Sequence, residues 1–290
     1  MKTKLLIFVT IISTNYVVAQ ISKTKVVKKE NLSTEVKYDS LQNFVGENVY
    51  AYLDQELYLK ELSPNLREYG YDNFVKDYKY SGYNKKANTY KCCDGFNSKY
   101  DDLNGRYFKV IKIFPHPKAE ESEYLYGDKY YLELVEKESK DTLYYEYSSQ
   151  FKFSFPFIVM GFYEKQKENL IGKEFVFPDR TLKVSTGGGF DISTGNPLSI
   201  KTGQRWKCKD LTIEDKYYTL ALVVENSDGE TTTVSYDTAF DERNYAYTSE
   251  EADNYIKDFG AENFNLILQG KVKIGMSKKC VNYLGENQKI

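Results

Sequence analysis

The sequence offers one combination of side chains for nucleophilic catalysis, a cysteine thiol with a histidine base. The chain contains a single histidine, His116, and an adjacent pair of cysteines, Cys92 and Cys93. In a Cys–His hydrolase the imidazole activates the thiol. However, His116 lies between two prolines, which is typical of a surface loop, and the residues around the cysteines match no known nucleophile signature. We therefore predict no catalytic residue and favour a protein that is not an enzyme.

Motifs for phosphate, calcium and zinc are incomplete. The glycine-rich segment 186–190 lacks the Lys-Ser/Thr pair of a phosphate-binding loop. Segment 191–196 lacks the alternating aspartates of a calcium loop, and the cysteines lack the spacing of a structural zinc site. We predict no metal and no cofactor. Any two of the 42 acidic residues could form a carboxylate pair, so a hydrolase remains an alternative.

The first 19 residues have the pattern of a secretory signal peptide. A start with two lysines is followed by the short apolar run 5–12, and Ala19 ends a small-residue cleavage site. The run is too short for a membrane span. We expect a secreted protein of the periplasm or outer cell envelope that is not an integral membrane protein after cleavage. The formal net charge of −2 gives no basic field that would attract nucleic acid.

An exported chain with an even number of cysteines permits disulfides. Besides Cys92 and Cys93, the sequence contains Cys208 and Cys280. Adjacent cysteines are not expected to bond each other, because a disulfide needs separated Cα atoms. A link between Cys93 and Cys208 is one alternative, and free buried thiols are the other.

The composition indicates a protein that is mainly β. The chain contains 28 Tyr and 17 Phe, and aromatic residues favour strands, where one face of the ring packs and the tyrosine hydroxyl stays hydrated. Segments 217–225 and 230–236 are rich in β-branched and aromatic residues and flank the turn sequence 226–229. This arrangement predicts a β-hairpin.

A weak internal duplication organises the chain. Three similarities occur in the same order in both copies, pairing 43–50 with 169–176, 105–110 with 203–208, and 130–134 with 217–222. Chance similarity between β-rich stretches is the alternative. We predict two related small antiparallel β modules, barrels or sandwiches, with a short C-terminal helical segment. The predicted boundaries are a signal peptide at 1–19, a flexible linker at 20–40, modules at 41–165 and 166–247, and helical residues at 248–290.

The helical segment begins with a capping box. Thr248 is followed three residues later by Glu251, so each side chain can bond the other residue's backbone N–H. Apolar residues then recur at helical spacing up to Phe259, and Gly260 is a typical helix end. We predict an amphipathic helix over 249–259 that packs on a sheet.

The last stretch, 270–285, predicts a short strand, a turn at Gly275, a helix cap at Ser277 and a helix that Gly285 ends. The string from Gly275 through Met276 and Ser277 to Gly285 resembles the start of the BamE/SmpA-type module of envelope proteins. In that family a Gly-Met-Ser/Thr turn begins a helix. The resemblance implies an envelope setting, assigns these four residues structural positions and provides no active site.

These observations favour an exported, non-enzymatic cell-envelope protein that binds an envelope protein or a glycan through edge strands or aromatic faces. Trp206 and its counterpart Phe108 are the candidate binding residues, with a place in the core as the alternative. Two other functions remain open. One is a secreted hydrolase of envelope polymers that uses a carboxylate pair, and the other is a carbohydrate-binding module with a row of exposed tyrosines.

Overall fold

Antiparallel β-sheets form the framework of this protein. The structure is a computed structural model that describes residues 37–185, 189–214, 218–240 and 246–278. The predicted signal peptide, most of the predicted linker, the glycines at 187–188 and Gly285 lie outside the described residues.

The first half of the chain forms a six-stranded sheet and a small hairpin. Its strands in chain order are β1 (Glu56–Leu59), β2 (Phe74–Val75), β3 (Cys92–Asp94), β4 (Asn97–Ser98), β5 (Tyr107–Pro115), β6 (Lys129–Glu136), β7 (Thr142–Ser148) and β8 (Phe157–Val159). The sheet has the order β2-β7-β6-β5-β1-β8, and β3 pairs with β4. In β7 every second residue is buried, as expected for a strand with one face on the core.

The second half forms a five-stranded antiparallel sheet. Its strands are β9 (Glu174–Val176), β10 (Arg205–Ile213), β11 (Leu220–Asn226), β12 (Thr231–Ser235) and β13 (Tyr247–Thr248). They have the order β12-β11-β10-β9-β13. The predicted hairpin around 226–229 is confirmed as β11 and β12. The predicted antiparallel β-rich fold is also confirmed, and neither sheet closes into a barrel within the described part of the chain.

Helices are short and mostly connect strands. They are α1 (Lys85–Asn88), α2 (Tyr100–Leu103), α3 (Glu123–Tyr126), α4 (Met160–Leu170), α5 (Asp179–Ser185), α6 (Tyr236–Phe240), α7 (Ser249–Phe259) and α8 (Ala261–Leu268), with 3-10 turns at Val49–Tyr52, Pro64–Tyr69 and Lys152–Ser154. Across the residues with described positions, no helix is long and apolar enough to span a bilayer.

The predicted C-terminal helix and its capping box are confirmed in α7. The Thr248 hydroxyl accepts the Glu251 N–H at 3.2 Å, and the Glu251 carboxylate accepts the Thr248 N–H at 2.8 Å. The predicted strand before Gly275 is wrong. Residues 271–273 have no strand partner, and Ile274 is fully exposed, because no neighbouring strand of the described chain reaches this segment.

The two sheets share one connectivity. In each, a hairpin of two strands follows a long nine-residue strand, β5 or β10, whose other neighbour is a short strand, β1 or β9. Both long strands contain a bulge at the same place, between Val110 and Lys112 in β5 and between Cys208 and Asp210 in β10. The last strand of each sheet, β8 or β13, leads directly into an eleven-residue helix, α4 or α7.

The register of the sheets corrects two of the three predicted alignments. Glu56 lies opposite Lys109, and Glu174 lies opposite Lys207, so Glu174 corresponds to Glu56 rather than to Asn48. A four-residue 3-10 turn precedes β1, whereas the eleven-residue α4 precedes β9. The predicted alignment does not allow for this difference in length, so it pairs residues that are not equivalent. The third alignment is also displaced, because Leu134 corresponds to Val224 rather than to Leu222. The alignment of 105–110 with 203–208 agrees with the register of both sheets.

One hydrophobic core contains residues from both sheets, which lie within a single compact unit of residues 36–290. Much of this core is tyrosine. The Tyr145 and Tyr147 rings are fully buried, and their hydroxyls donate to the carbonyls of Ser154 at 2.8 Å and Gly46 at 2.9 Å. A buried hydroxyl needs such a partner, because an unpaired one costs desolvation energy. These two tyrosines therefore both pack in the core and anchor loops.

The cysteine pairing differs from the expected one. The structure joins Cys92 to Cys93 in the β3–β4 hairpin, and it leaves Cys208 as a free buried thiol. Of the two alternatives for Cys208, the structure therefore shows the free buried thiol and not the link to Cys93. Cys208 points into the core from β10, where its thiol contacts the Asp210 carbonyl at 3.6 Å. Cys280 lies outside the described residues.

Candidate functional site

The two residues predicted to bind a partner are both in the core. Phe108 lies at the centre of the first sheet between Leu57 and Glu136, and its side chain is fully buried. Trp206 lies in the corresponding register of the second sheet and is also fully buried. Neither ring reaches the surface, so the structure corrects their assignment as binding residues. The alternation of β10, with Trp206 and Cys208 inward and lysines outward, accounts for this.

The potential nucleophile and base are not brought together. His116 stacks on Tyr126 with ring centroids 4.3 Å apart, and its Nδ1 accepts the Lys118 N–H at 3.2 Å. Burial lowers the pKa of the His116 imidazole. Among the described residues, no hydrogen bond or ring contact joins His116 to Cys92 or Cys93, which bond each other. The arrangement provides no activated thiol.

The structure contains a cleft that the sequence analysis did not anticipate. Its volume is about 1060 Å³, and residues from both halves of the chain line it. We call it the aromatic cleft, because six rings line it: Phe44, Phe153, Phe155, Phe162, Tyr236 and Phe240. The Phe153 ring is 88% exposed, which is unusual for a large apolar side chain. The rest of the lining mixes apolar and polar side chains, and an exposed apolar ring beside such a concave surface is typical of a binding site.

Three charged groups of the described chain line the aromatic cleft. Lys152 and Asp237 form an ion pair, with Nζ and Oδ1 3.1 Å apart. The third group is Lys60, at the end of β1, and its ammonium forms no hydrogen bond or ion pair with the described residues. Burial lowers the pKa of the Lys60 ammonium, the Asp237 carboxylate opposes this shift, and the Lys152 ammonium adds to it. A partly buried cation without a partner is costly unless something else neutralises it.

Two hydrogen bonds fix the backbone of Lys60 and so position its side chain at the cleft. Its N–H donates to the Pro156 carbonyl at 3.0 Å, and its carbonyl accepts the Tyr71 hydroxyl at 2.7 Å. Sequence reasoning missed Lys60 because one lysine after a strand resembles an ordinary surface residue. The available signal is weak: Lys60 follows two buried leucines, Leu57 and Leu59, at strand spacing.

A segment near the start of the described chain forms another wall of the cleft, and Tyr52 anchors it. The Tyr52 hydroxyl donates to the Asn43 carbonyl at 2.9 Å and accepts the Val45 N–H at 3.0 Å. The Tyr52 ring also stacks on Phe155, with centroids 5.2 Å apart and planes 10° apart. Tyr52 therefore positions both Phe155 and the segment that includes Phe44.

Removing the Tyr52 hydroxyl tests this anchoring. We expect Tyr52→Phe to lower the free energy of unfolding by about 1–3 kcal/mol, because a backbone N–H and a carbonyl lose their partner. Tyr50 lies on the same 3-10 turn with an exposed ring, so Tyr50→Phe is the matched control and should change stability by less than about 0.5 kcal/mol. Urea denaturation followed by circular dichroism measures both. Equal effects of the two substitutions would contradict the anchoring role.

Three of the four outer strands, β2, β8 and β12, already bond other segments of the chain through part of their backbone. The Asn43 side chain covers β8, donating to the Phe157 carbonyl and accepting the Val159 N–H, both at 2.8 Å. The Tyr90 N–H donates to β2 at the Phe74 carbonyl, and the Ile192 N–H donates to β12 at the Thr231 carbonyl. Strand addition needs free backbone groups at an edge. The aromatic cleft is therefore the better candidate surface.

Comparison with known proteins provides no further guide. No family model, curated protein or solved structure matches this chain. No group of metal-ligating side chains is present among the residues with described positions. The function must be argued from the geometry of the aromatic cleft and its charged groups.

Proposed function

We propose that this protein is an exported, non-enzymatic binding protein of the cell envelope, and that it holds its ligand in the aromatic cleft. One observation carries the proposal: the cleft combines six aromatic rings with a lysine, Lys60, that has no partner among the described residues. Concave apolar sites with a few placed polar groups are the usual form of small-molecule sites. The signal-like residues 1–19 and the envelope-type resemblance at Gly275–Ser277 support the location.

The acidic groups of the cleft favour binding over hydrolysis. Glycosidases use two carboxylates that flank the scissile bond. The described lining of the aromatic cleft contains one carboxylate, Asp237, and this group is paired with Lys152. A secreted hydrolase is therefore the weaker alternative for this site.

The tyrosines of the first sheet do not favour a sugar platform. Tyr78 stacks on Phe114 with ring centroids 4.6 Å apart and planes 13° apart, and it also contacts Tyr131 and Tyr144. Rings that cover one another's faces are unavailable for stacking on a sugar. This cluster packs the surface of the sheet, so the carbohydrate-binding alternative has less support than the aromatic cleft.

The shared connectivity supports a second part of the proposal, an origin by internal duplication. The two sheets have matching strand orders, matching bulges and matching helices after the last strand. Only one half carries the insertion with β2, β3 and β4. Because the aromatic cleft is lined from both halves, we propose that duplication created this site, which neither half would form by itself.

Native mass spectrometry tests the binding function. The chain from Gln20 onward is incubated with a solvent extract of cell envelope, desalted, and weighed together with two variants. We expect a defined added mass on the wild type and on Tyr124→Ala, and at least a tenfold lower occupancy on Phe153→Ala. Phe153 lines the cleft, whereas Tyr124 is an equally exposed ring (94%) on α3, outside the cleft lining. An absence of added mass on the wild type would contradict the proposal.

A further inference from the structure

We propose that the ligand of the aromatic cleft is an apolar molecule with a single carboxylate, such as a fatty or aromatic acid, and that Lys60 binds the carboxylate. The inference rests on the proposed binding function and names the chemical class of the ligand. Three features of the cleft support this inference: its charged groups, its aromatic wall, and the neighbouring outer strand β8, whose backbone already bonds Asn43.

The charged groups of the cleft favour a ligand with a single negative charge. Lys152 and Asp237 neutralise each other, with side chains about two-thirds exposed to solvent. Lys60 is left as the one cation of the described cleft lining that has no partner. A carboxylate would satisfy this ammonium through a charge-assisted hydrogen bond. A phosphate dianion suits the site less well, because the described lining offers one unpaired cation for its two negative charges and contains no arginine for bidentate binding.

The wall of the cleft suits an apolar body. The Tyr236 ring contacts Phe162 edge-on at 5.5 Å and Phe240 at 4.9 Å, so these three rings form one continuous surface. Phe44 and Phe155, 6.0 Å apart, form another. Burial of hydrocarbon against such surfaces is favourable, since apolar area leaves water. Phe153 is well placed to cover a bound chain, because its ring lines the cleft but is almost entirely exposed in the free protein.

The dimensions and edges of the cleft favour a small molecule over a protein strand. Its volume of about 1060 Å³ slightly exceeds the roughly 300–1,000 Å³ that is typical of small-molecule sites. The outer strand β8 contributes Ile158 to the lining, but the Asn43 amide already occupies the backbone groups of Phe157 and Val159. A peptide could therefore not extend the sheet at this edge.

The titration of Lys60 gives the proposal a pH signature. Burial lowers the pKa of the Lys60 ammonium in the free protein, with Asp237 and Lys152 as the other charged groups that face it. A bound carboxylate favours the protonated form and raises that pKa. Carboxylate affinity is therefore greatest at pH values above the pKa of the ligand's own carboxyl group and below the Lys60 pKa of the free protein. It decreases as the pH rises above this value, while a neutral ligand shows no such dependence.

Calorimetric titration with decanoate and 1-decanol tests the inference, because the two probes share a ten-carbon chain and differ in the head group. Near neutral pH we expect the wild type to bind decanoate at least tenfold more tightly than decanol. Lys60→Met should remove this preference and leave decanol binding unchanged. The control is Lys109→Met, which removes an exposed lysine of β5 that pairs with Asp54. This variant should still prefer decanoate over decanol.

The outcomes separate the two proposals. Equal affinity of the wild type for decanoate and decanol, or an unchanged preference in Lys60→Met, would overturn the carboxylate assignment. So would failure of the wild type to bind decanoate. The wild-type comparison decides the matter even if Lys60→Met does not fold. None of these results removes a Phe153-dependent added mass from envelope extract, which tests the binding function by itself.

Discussion

Replacing Trp206 by alanine is expected to lower the free energy of unfolding by about 3–5 kcal/mol, the usual range for truncation of a large buried aromatic side chain. The indole of Trp206 in β10 is fully buried. Trp206 lies opposite Phe175 of the neighbouring strand β9 and opposite Asn226 of β11. Its removal loses the apolar burial and leaves a cavity that well-packed neighbours fill only in part. Urea denaturation followed by far-ultraviolet circular dichroism measures the loss.

Two comparisons make the expectation specific. Phe108 occupies in the first sheet the position that Trp206 occupies in the second, so Trp206→Phe gives both sheets the same residue type there. It also removes the indole N–H, which has no hydrogen-bond partner among the described residues. We expect Trp206→Phe to cost less than about 1.5 kcal/mol, since a shape change is partly offset by loss of an unpaired donor. A Trp206→Ala cost below that of Trp206→Phe would contradict a core role for this side chain.

The correspondence between these two residues shows what the sequence could predict. Phe108 and Trp206 follow a glycine by three residues, and both glycines have positive φ, 67° at Gly105 and 77° at Gly203. Only glycine adopts such angles without strain, so the two short motifs mark one backbone feature in both sheets. Strand alternation after each glycine then places the ring inward. This local pattern is sufficient to match β5 with β10, the one predicted alignment that agrees with the register of both sheets.

The same local reasoning was insufficient where partners are distant in the chain. The aromatic cleft joins Lys60 and Phe153 to Tyr236 and Phe240, and no motif links these positions. A lysine after a strand is normally solvated, so its type alone carries no signal.

The second large expected effect concerns the turn between β11 and β12, which Asn226 closes. Its side-chain carbonyl accepts the N–H groups of Asp228 at 2.9 Å and Glu230 at 3.0 Å, and its amide donates to the Glu230 carboxylate at 2.7 Å. We expect Asn226→Leu to lower the free energy of unfolding by about 2–3 kcal/mol, since three hydrogen bonds at a buried site are lost together. Thermal and urea denaturation measure this loss.

The control lies in the same turn. Ser227 is exposed, so Ser227→Ala should change stability by less than about 0.5 kcal/mol. Asn226→Asp is more informative, because it keeps the acceptor but places a carboxylate against that of Glu230. Its stability at neutral pH should lie below that of the wild type, and the gap should narrow as the pH falls to about 4, where protonation removes the repulsion. A gap that stays constant with pH would contradict the contact with Glu230.

Asn226 has a counterpart in the first sheet, which extends the prediction. Glu136 lies opposite Phe108 as Asn226 lies opposite Trp206, and its carboxylate accepts the N–H groups of Glu138 at 3.2 Å and Ser139 at 3.1 Å. Each sheet thus pairs a buried ring with a buried polar group that closes the next turn. If duplication fixed this arrangement, Glu136→Leu should cost about as much as Asn226→Leu. A cost near zero for Glu136→Leu would mean that the two turns close by different means.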